Sequence, residues 1–323
     1  MTALATLALG VDLGGTTARA AVIDRGSGRI VAAHKEPHRD RSPTAVVEVV
    51  LRAMEAASGA AGHTARAFGR VGVGVAGQCL GRTGVVLNAP NLGWRDVRLG
   101  ELLERAAGVK VRIANDLSAA AWGERLFGAA RGVDDVALVF VGSGVGAGLI
   151  LGGRLHDGHR GVAGELGHVK VRPRRASTAP RRCGCGEVGC LEAYTSGMNI
   201  AARVRDELAG GARSSIRDLV QGDLARVTAS VVDAAQVQGD GYAAALWEEV
   251  ADLLGTAVAS VVTLLNPARV ILGGGVLLGC PALGGLVQRV FAERVSRSAA
   301  VGLTLERAHL GDDAGVIGAA LLG

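Results

Sequence analysis

Two stretches of this chain follow one plan: "GVDLGGTTARAAVID" from Gly10 to Asp24, and "VGSGVGAGLILGG" from Val141 to Gly153. Each reads as an apolar strand, a turn of Gly, Ser and Thr, and a second strand. A turn without bulky side chains leaves successive backbone N–H groups lining one concavity, which suits an anion. The plan recurs in the second half of a 323-residue chain, a length that suggests about two domains at roughly 150 residues each. The expectation is therefore two α/β halves, each carrying one anion-binding hairpin, with a cleft between them.

The competing reading of the second turn is a dinucleotide fingerprint, since Gly142-x-Gly144-x-x-Ala147 fits its loose form. That fingerprint needs a helix straight after the turn, so that the helix N-terminus holds a pyrophosphate. Here β-like "LILGG" follows, and no acidic residue ends a second strand at the right distance. No G-x-x-x-x-G-K-[ST] is present either. The hairpin reading stands.

Around the first turn, apolar runs at 7–11, 19–23 and 30–33 predict a meander. A helix is expected over about 44–57, with Ser42 as its cap and Pro43 in its first turn. Then follow a strand at 71–75, a turn-rich stretch, a helix near 99–107, a strand at 109–114 and the helical "LSAAAWGERLFGAA". The pattern restarts with strands at 135–141 and 146–151. Helices dominate from about 196 to 266, and "ARVILGGG" reads as a buried strand ending in glycines. No low-complexity tract separates the halves; the boundary is placed within 122–134 on pattern alone.

Composition narrows the class. With 49% hydrophobic and 20% charged residues the chain reads as globular, and its fifty glycines imply tight turns and close backbone approaches. The start has no Lys or Arg before its apolar run and reads as a strand rather than a signal peptide. The uncharged run from Val136 to Gly153 is two strands around a glycine turn, not a lipid-spanning helix of ~20 residues. A cytoplasmic, reducing location with no membrane contact is expected, and an odd total of five cysteines also opposes a disulfide framework. The formal charge of +5 comes mostly from arginine, densest in "RPRRASTAPRR" at 172–182. Without interleaved aromatics this patch reads as a solvated loop, not a nucleic-acid arm, and it is assigned no task.

Three of the five cysteines crowd into "RRCGCGEVGCLEAY", at Cys183, Cys185 and Cys190. His168, in "AGELGHVKV", lies fifteen residues before Cys183. One imidazole and three thiolates complete a closed tetrahedral zinc set, the pattern of a structural site. Glycines at 184, 186 and 189 permit the compressed C-x-C spacing.

Three further segments each support two readings. Asp12, at a strand end before Gly14, Gly15, Thr16 and Thr17, is an ordinary turn residue or a carboxylate holding Mg²⁺ through water beside a phosphate. Asn115 and Asp116 join a strand to a helix, as an N-cap or as a general base at the carboxyl edge of a sheet. "ARVILGGGV" is a plain strand–helix turn or a bare-backbone seat for adenosine.

Together, "VDLGGTT", "GVAGQ", "NAPNLGW", "NDLSAAAWGE", "GSGVGAG", "GVAGELGH", "CGCGEVGCLEAYTSG", "ILGGGV" and "GDDAGVIGAALLG" span nearly the whole chain. In them the chain resembles the ROK family of bacterial sugar kinases, and most of all its glucokinases. The resemblance implies a two-domain actin/hexokinase-like ATPase fold built of duplicated ribonuclease H-like domains. It places an N-terminal α/β domain at 1–122, completed by a C-terminal helix at about 312–323. A larger α/β domain with the zinc-binding loop would occupy 123–311. The implied activity is ATP-dependent phosphorylation of a hexose at O6, with Asp116 as general base. Gly77, Asn91, Asn115, Glu165, His168 and Glu192 would contact the sugar. Asp12, Gly14, Gly15, Thr16 and Thr17 would hold phosphates, with Gly142, Ser143 and Gly144. Gly273, Gly274 and Gly275 would lie near adenosine. Cofactors would be Mg²⁺ with ATP and a structural Zn²⁺ on His168, Cys183, Cys185 and Cys190. Partners would be hexose, ATP and further copies in a homodimer or homotetramer.

The chain departs from the family at Thr17, where Lys is frequent, at Ser143, where Thr is usual, at Ala76, where Pro is usual, and in its long arginine-rich loop. Other readings are a kinase for an N-acetylated hexose, mannose or fructose, a sugar-responsive repressor, and a sugar-binding protein without catalysis. Repressors of the family carry a DNA-binding module ahead of the first glycine turn, where this sequence has nine residues before Gly10. An intact Asp116 disfavours the non-catalytic reading. One mechanical expectation follows. The sugar-side groups Glu165, His168 and Glu192 ride on or beside the metal loop, whereas the phosphate turns do not, so losing the metal should weaken sugar affinity and kcat far more than ATP affinity.

Overall fold

The computed structural model describes residues 4–173 and 180–322, so most of the arginine-rich 172–182 stretch lies outside the described residues. The chain runs β1 (Leu7–Leu13), β2 (Thr17–Asp24), β3 (Ile30–Pro37), α1 (Pro43–Ala60), β4 (Arg70–Val75), β5 (Gln78–Leu80), β6 (Val85–Ala89) and β7 (Trp94–Val97). It continues through α2 (Leu99–Ala107), β8 (Lys110–Asn115), α3 (Asp116–Phe127), β9 (Val136–Val141), β10 (Val145–Leu151), β11 (Arg154–Leu155), α4 (Glu192–Thr195) and α5 (Gly197–Ala209). There follow α6 (Ile216–Leu219), α7 (Ala229–Val237), α8 (Gly241–Leu265), β12 (Arg269–Gly273), α9 (Gly275–Gly279), α10 (Pro281–Arg294), β13 (Thr304–Arg307) and α11 (Ala314–Ala320). It divides into two compact units. The first holds the residues up to Val136, Gly148–Gly164 and those from Ala308 on; the second holds Ala137–Ala147 and Glu165–Arg307.

The first unit is built on a sheet of order β3-β2-β1-β4-β8. β1, β2 and β3 form the expected antiparallel meander, while β1, β4 and β8 run parallel. One face is covered by α1, where Val46, Val50, Ala53, Met54 and Ala57 recur at helical spacing and are buried. Pro43 opens this helix, and Ser42 precedes it in extended backbone without a side-chain cap bond. The other face is covered by α11 at unusually short range. A Cβ on Gly10 of β1 would stand 2.5 Å from the Ala320 backbone nitrogen. One on Gly318 of α11 would stand 1.7 Å from the Ala119 carbonyl of α3. Glycine at these two positions lets backbone lie directly on backbone.

Two features differ from expectation. The turn-rich stretch after β4 contains the small antiparallel sheet β5-β6-β7, whose strands of three to five residues are too short to carry a legible alternation. And a boundary at 122/123 would cut α3, which runs unbroken to Phe127 and lies wholly in the first unit. Its Trp122 indole donates to the Leu321 carbonyl at 2.9 Å, and the buried Glu124 carboxylate accepts from Leu310 N at 2.8 Å and Ala129 N at 2.7 Å.

The second five-stranded sheet has the order β11-β10-β9-β12-β13, and the division between units passes through β10 after Ala147. The second unit's helical layer centres on α8, whose buried Trp247 donates to Asp233 of α7 at 2.7 Å. Asp233 also accepts from Leu283 N at 3.1 Å, near the start of α10. No described helix is long and apolar enough to cross a membrane.

Candidate active site and metal centre

In the first unit, register decides which residues meet. Leu13 pairs with Val75, and Val75 with Asn115, so β1, β4 and β8 end side by side. This edge carries the Asp12–Thr17 turn, Gly77 and Asn115–Asp116, the carboxyl edge where open α/β sheets bind ligands. The turn is closed by Gly14 N donating to Thr17 O at 2.9 Å. A Cβ on Gly15 would meet the Cβ of Asn91 at 2.7 Å, so the β6–β7 turn lies against it.

Asn115 realises the capping reading. Its Oδ1 accepts from Leu117 N at 2.9 Å and Ser118 N at 3.1 Å, and its Nδ2 donates to Gly77 O at 3.0 Å. The amide thus fixes the start of α3 to the Gly77 loop. Asp116 is the first residue of α3, where the helix dipole favours its ionised form.

Asp12 is half-buried, and burial pushes its carboxyl above the ordinary value of 3.8, with Arg19 and Lys35 opposing and Asp312 adding to the rise. Arg19 stands opposite Asp12 across β1–β2 and is anchored by the Asp313 carboxylate and by Asp312 O, the latter at 3.1 Å.

In the second unit, the Gly142–Gly144 turn is closed by Gly142 N donating to Gly144 O at 2.9 Å. The same Gly142 accepts, through its carbonyl, from Gly197 N at the start of α5, at 2.8 Å. Beside this turn opens a cleft of about 590 Å³ lined by Gly142, Ser143, Met198, Arg205, Thr228, Ser230 and Gly275, among others. The N-terminal ends of α5 and α7 reach it, with Thr228 capping α7 through Val231 N. Helix N-termini present free N–H groups and favour anions. Of the three expected glycines, only Gly275 lines the cleft. A Cβ on Gly273 would strike the Phe140 ring at 2.4 Å and one on Gly274 the Val141 carbonyl at 2.5 Å, so these two seat β12 against β9.

Glu192, at the start of α4, ties this turn to the cysteines. Its Oε2 accepts from Val145 N at 2.9 Å and would stand 2.8 Å from a Cβ on Gly144. Its Oε1 lies 3.6 Å from the Cys183 sulfur. Gly167, just before His168, packs on the Val145 carbonyl, which a Cβ there would approach to 2.2 Å. The expectation that the glycine turns stand clear of the cysteine loop is therefore corrected at the second turn: the Glu192 carboxylate touches both that turn and the loop.

His168, Cys183, Cys185 and Cys190 gather with all four ligand atoms within 4.8 Å of one another. Cys185 and Cys190 sulfurs are 3.7 Å apart, and Cys183 Sγ is 3.9 Å from His168 Nδ1. A tetrahedral zinc with Zn–S near 2.3 Å spaces its sulfurs about 3.8 Å apart, so the donor set fits that ion. Burial pushes the Cys183 thiol up to about 12, so a metal must displace its proton. At Cys185 burial is outweighed by the Glu187 N–H and the neighbouring thiols, and its thiol falls below the ordinary value. His168 Nε2 lies 3.4 Å from Glu165 Oε2, leaving Nδ1 toward the sulfurs.

The cleft-lining Arg205, Thr228, Ser230 and Met198 escaped sequence reasoning. Met198 opens α5, Thr228 and Ser230 open α7, and Arg205 lies two turns into α5; no local motif joins them, and only the folded arrangement assembles them.

The ROK family model matches residues 8–323. The glucokinase of Streptomyces coelicolor is 35% identical over 271 residues, covering 83% of this chain and 82% of that protein. The crystal structure of a ROK family glucokinase from Streptomyces griseus in complex with glucose and AMPPNP is 33% identical. It superposes with a TM-score of 0.81 over 98% of this chain and 99% of that one. The ROK hexokinase of Thermus thermophilus is 32% identical, with a TM-score of 0.79 over 98% and 97% of the two chains. A match this complete in sequence and in backbone settles the lineage: the chain is a member of the ROK family, with its actin-like ATPase fold.

Proposed function

We propose that this protein is a hexose kinase that transfers the γ-phosphoryl group of ATP to O6 of glucose. The observation that carries the reading is the likeness, over nearly the whole of both chains, to a ROK glucokinase bound to glucose and AMPPNP. In the step itself the sugar's O6 attacks the γ-phosphorus in line, the bond to the β-phosphate oxygen breaks, ADP leaves, and the hydroxyl proton passes to Asp116. Asp116 suits this role because Asn115 fixes the helix end that carries it at the carboxyl edge of the sheet. Glu165, His168 and Glu192 hold the remaining hydroxyls, and the two glycine turns hold phosphates. The cleft of about 590 Å³ beside Ser143 receives the base and ribose. Asp12 would hold Mg²⁺ through water, and that ion supplies charge neutralisation on the phosphates. His168, Cys183, Cys185 and Cys190 would hold zinc, which fixes the loop bearing the sugar-side groups.

The test is ADP release with Mg-ATP across glucose, mannose, fructose, N-acetylglucosamine and N-acetylmannosamine. Glucose should give the highest kcat/KM; a clear preference for an N-acetylated hexose overturns the substrate assignment. Asp116→Asn should keep glucose binding and lose roughly 10²–10⁴-fold in kcat. Turnover within a few-fold of wild type would remove Asp116 as the base.

A further inference from the structure

The cysteine cluster carries a cation that the zinc reading does not use. Lys170 stands opposite Cys190 in the antiparallel bridge that closes the metal loop. Its ammonium lies 3.1 Å from Cys190 Sγ and 2.6 Å from Glu187 Oε2. Around Zn²⁺, three thiolates and a neutral imidazole carry one surplus negative charge. The three sulfurs are not equally placed to bear it. Cys190 is fully buried and Cys183 nearly so, whereas Cys185 is open to solvent. Water can solvate charge on Cys185, but at Cys190 a protein donor must do so.

We propose that Lys170 is the positioning and charge-compensating partner of the metal centre, donating to the Cys190 thiolate and offsetting the surplus negative charge of the three thiolates. This rests on the zinc reading above. A hydrogen bond to a ligand sulfur fixes its orientation and draws charge out of its lone pairs, which slows attack by protons and electrophiles. The arrangement therefore ranks the thiolates: Cys190 is shielded by burial and by Lys170, and Cys185 is the ligand an electrophile reaches first. The alternative role for Lys170 is an exposed ion pair with Glu187, which would leave the metal unaffected.

The experiment starts from protein purified with zinc, its content measured before any variant is compared. Wild-type protein without zinc removes the zinc reading itself, and the assignment of Lys170 with it. Zinc release to a colorimetric chelator is then followed in wild type, Lys170→Met, Lys170→Arg and Glu187→Gln, each checked by thermal melting. Lys170→Met should release zinc faster by about 10–100-fold, the range for losing a partner of a metal ligand. Lys170→Arg keeps a charged donor and should stay within a few-fold of wild type, as should Glu187→Gln. Release from Lys170→Met at the wild-type rate, or an equal effect of Glu187→Gln, overturns the proposal. Alkylation with iodoacetamide, mapped by mass spectrometry, gives a second readout. Cys185 should be modified first in wild type, with Cys190 gaining reactivity only in Lys170→Met. Early modification of Cys190 in wild type overturns the ranking.

Discussion

The two glycine turns look alike in sequence and are held in different ways. The first is braced by its own sheet and the neighbouring β6–β7 turn: Asp12 lies on β1 itself, Arg19 faces it on β2, and Asn91 of the turn backs Gly15. The second borrows its brace. Val145 N bonds to Glu192, forty-seven residues on, and Glu192 also lies beside the Cys183 sulfur. The same hairpin is thus held by its own sheet, the β6–β7 turn and the chain's C-terminal segment in one unit, and by the cysteine loop in the other. A turn's sequence encodes its shape, and its neighbours decide what else can disturb it.

Breaking the metal loop should expose this difference most strongly. Cys185→Ser removes one of four ligands and frees the segment that presents Glu192. Both glucose and ATP kinetics should then worsen, by about 10²-fold in kcat/KM if Glu192 shifts by roughly 1 Å. Zinc content and steady-state kinetics for each substrate check this. A variant impaired for glucose alone would show that Val145 keeps its position without Glu192.

Next in size are alanine substitutions that strike one turn each. A Cβ at Gly144 meets the Glu192 carboxylate at 2.8 Å, and one at Gly15 meets Asn91 at 2.7 Å. Overpacking of this kind costs about 1–3 kcal/mol, so a loss near tenfold in nucleotide affinity is expected of either. Only Gly144→Ala should also speed zinc release; equal release from Gly15→Ala would erase the distinction between the turns.

The smallest effect concerns stability. Burial raises the Asp12 carboxyl, so the folded state prefers it protonated and is weakened once it ionises. That cost is fully present above the folded pKa and vanishes as pH falls below the unfolded value near 3.8. Asp12→Asn should therefore raise Tm at pH 7 and lose that advantage in acid, at the expense of Mg-dependent turnover. A Tm at pH 7 below that of wild type would show that the carboxylate is stabilised by its surroundings.

Much of this was legible because it is local. The strand–turn–strand plan, the capping asparagine and the spacing of His168 from the cysteines all lie within short windows. The double duty of Glu192 was not, because it joins α4 to β10 across forty-seven residues and looks like any carboxylate after a Cys-Leu pair. Gly273 and Gly274 show a related limit. A glycine run signals close approach, but the partner here is β9 of the same sheet, and sequence does not name it. The arginine, threonine and serine of the cleft beside Ser143 meet only because α5 and α7 converge on it.

The seam between α11 and the first sheet has a consequence in time. Arg19 and Asp313, which pair within the first unit, are separated by 294 residues. Their partners in that seam include Gly10 and Gly72, bare strand positions that the α11 backbone covers. A ribosome adding 5–20 residues per second delivers α11 roughly 15–60 s after β2 has emerged. Until then this sheet lacks the helix that covers one of its faces. The second unit, whose described elements lie entirely between the two, can finish its own core first, and chaperone contact during synthesis should fall on the meander that the chain makes earliest.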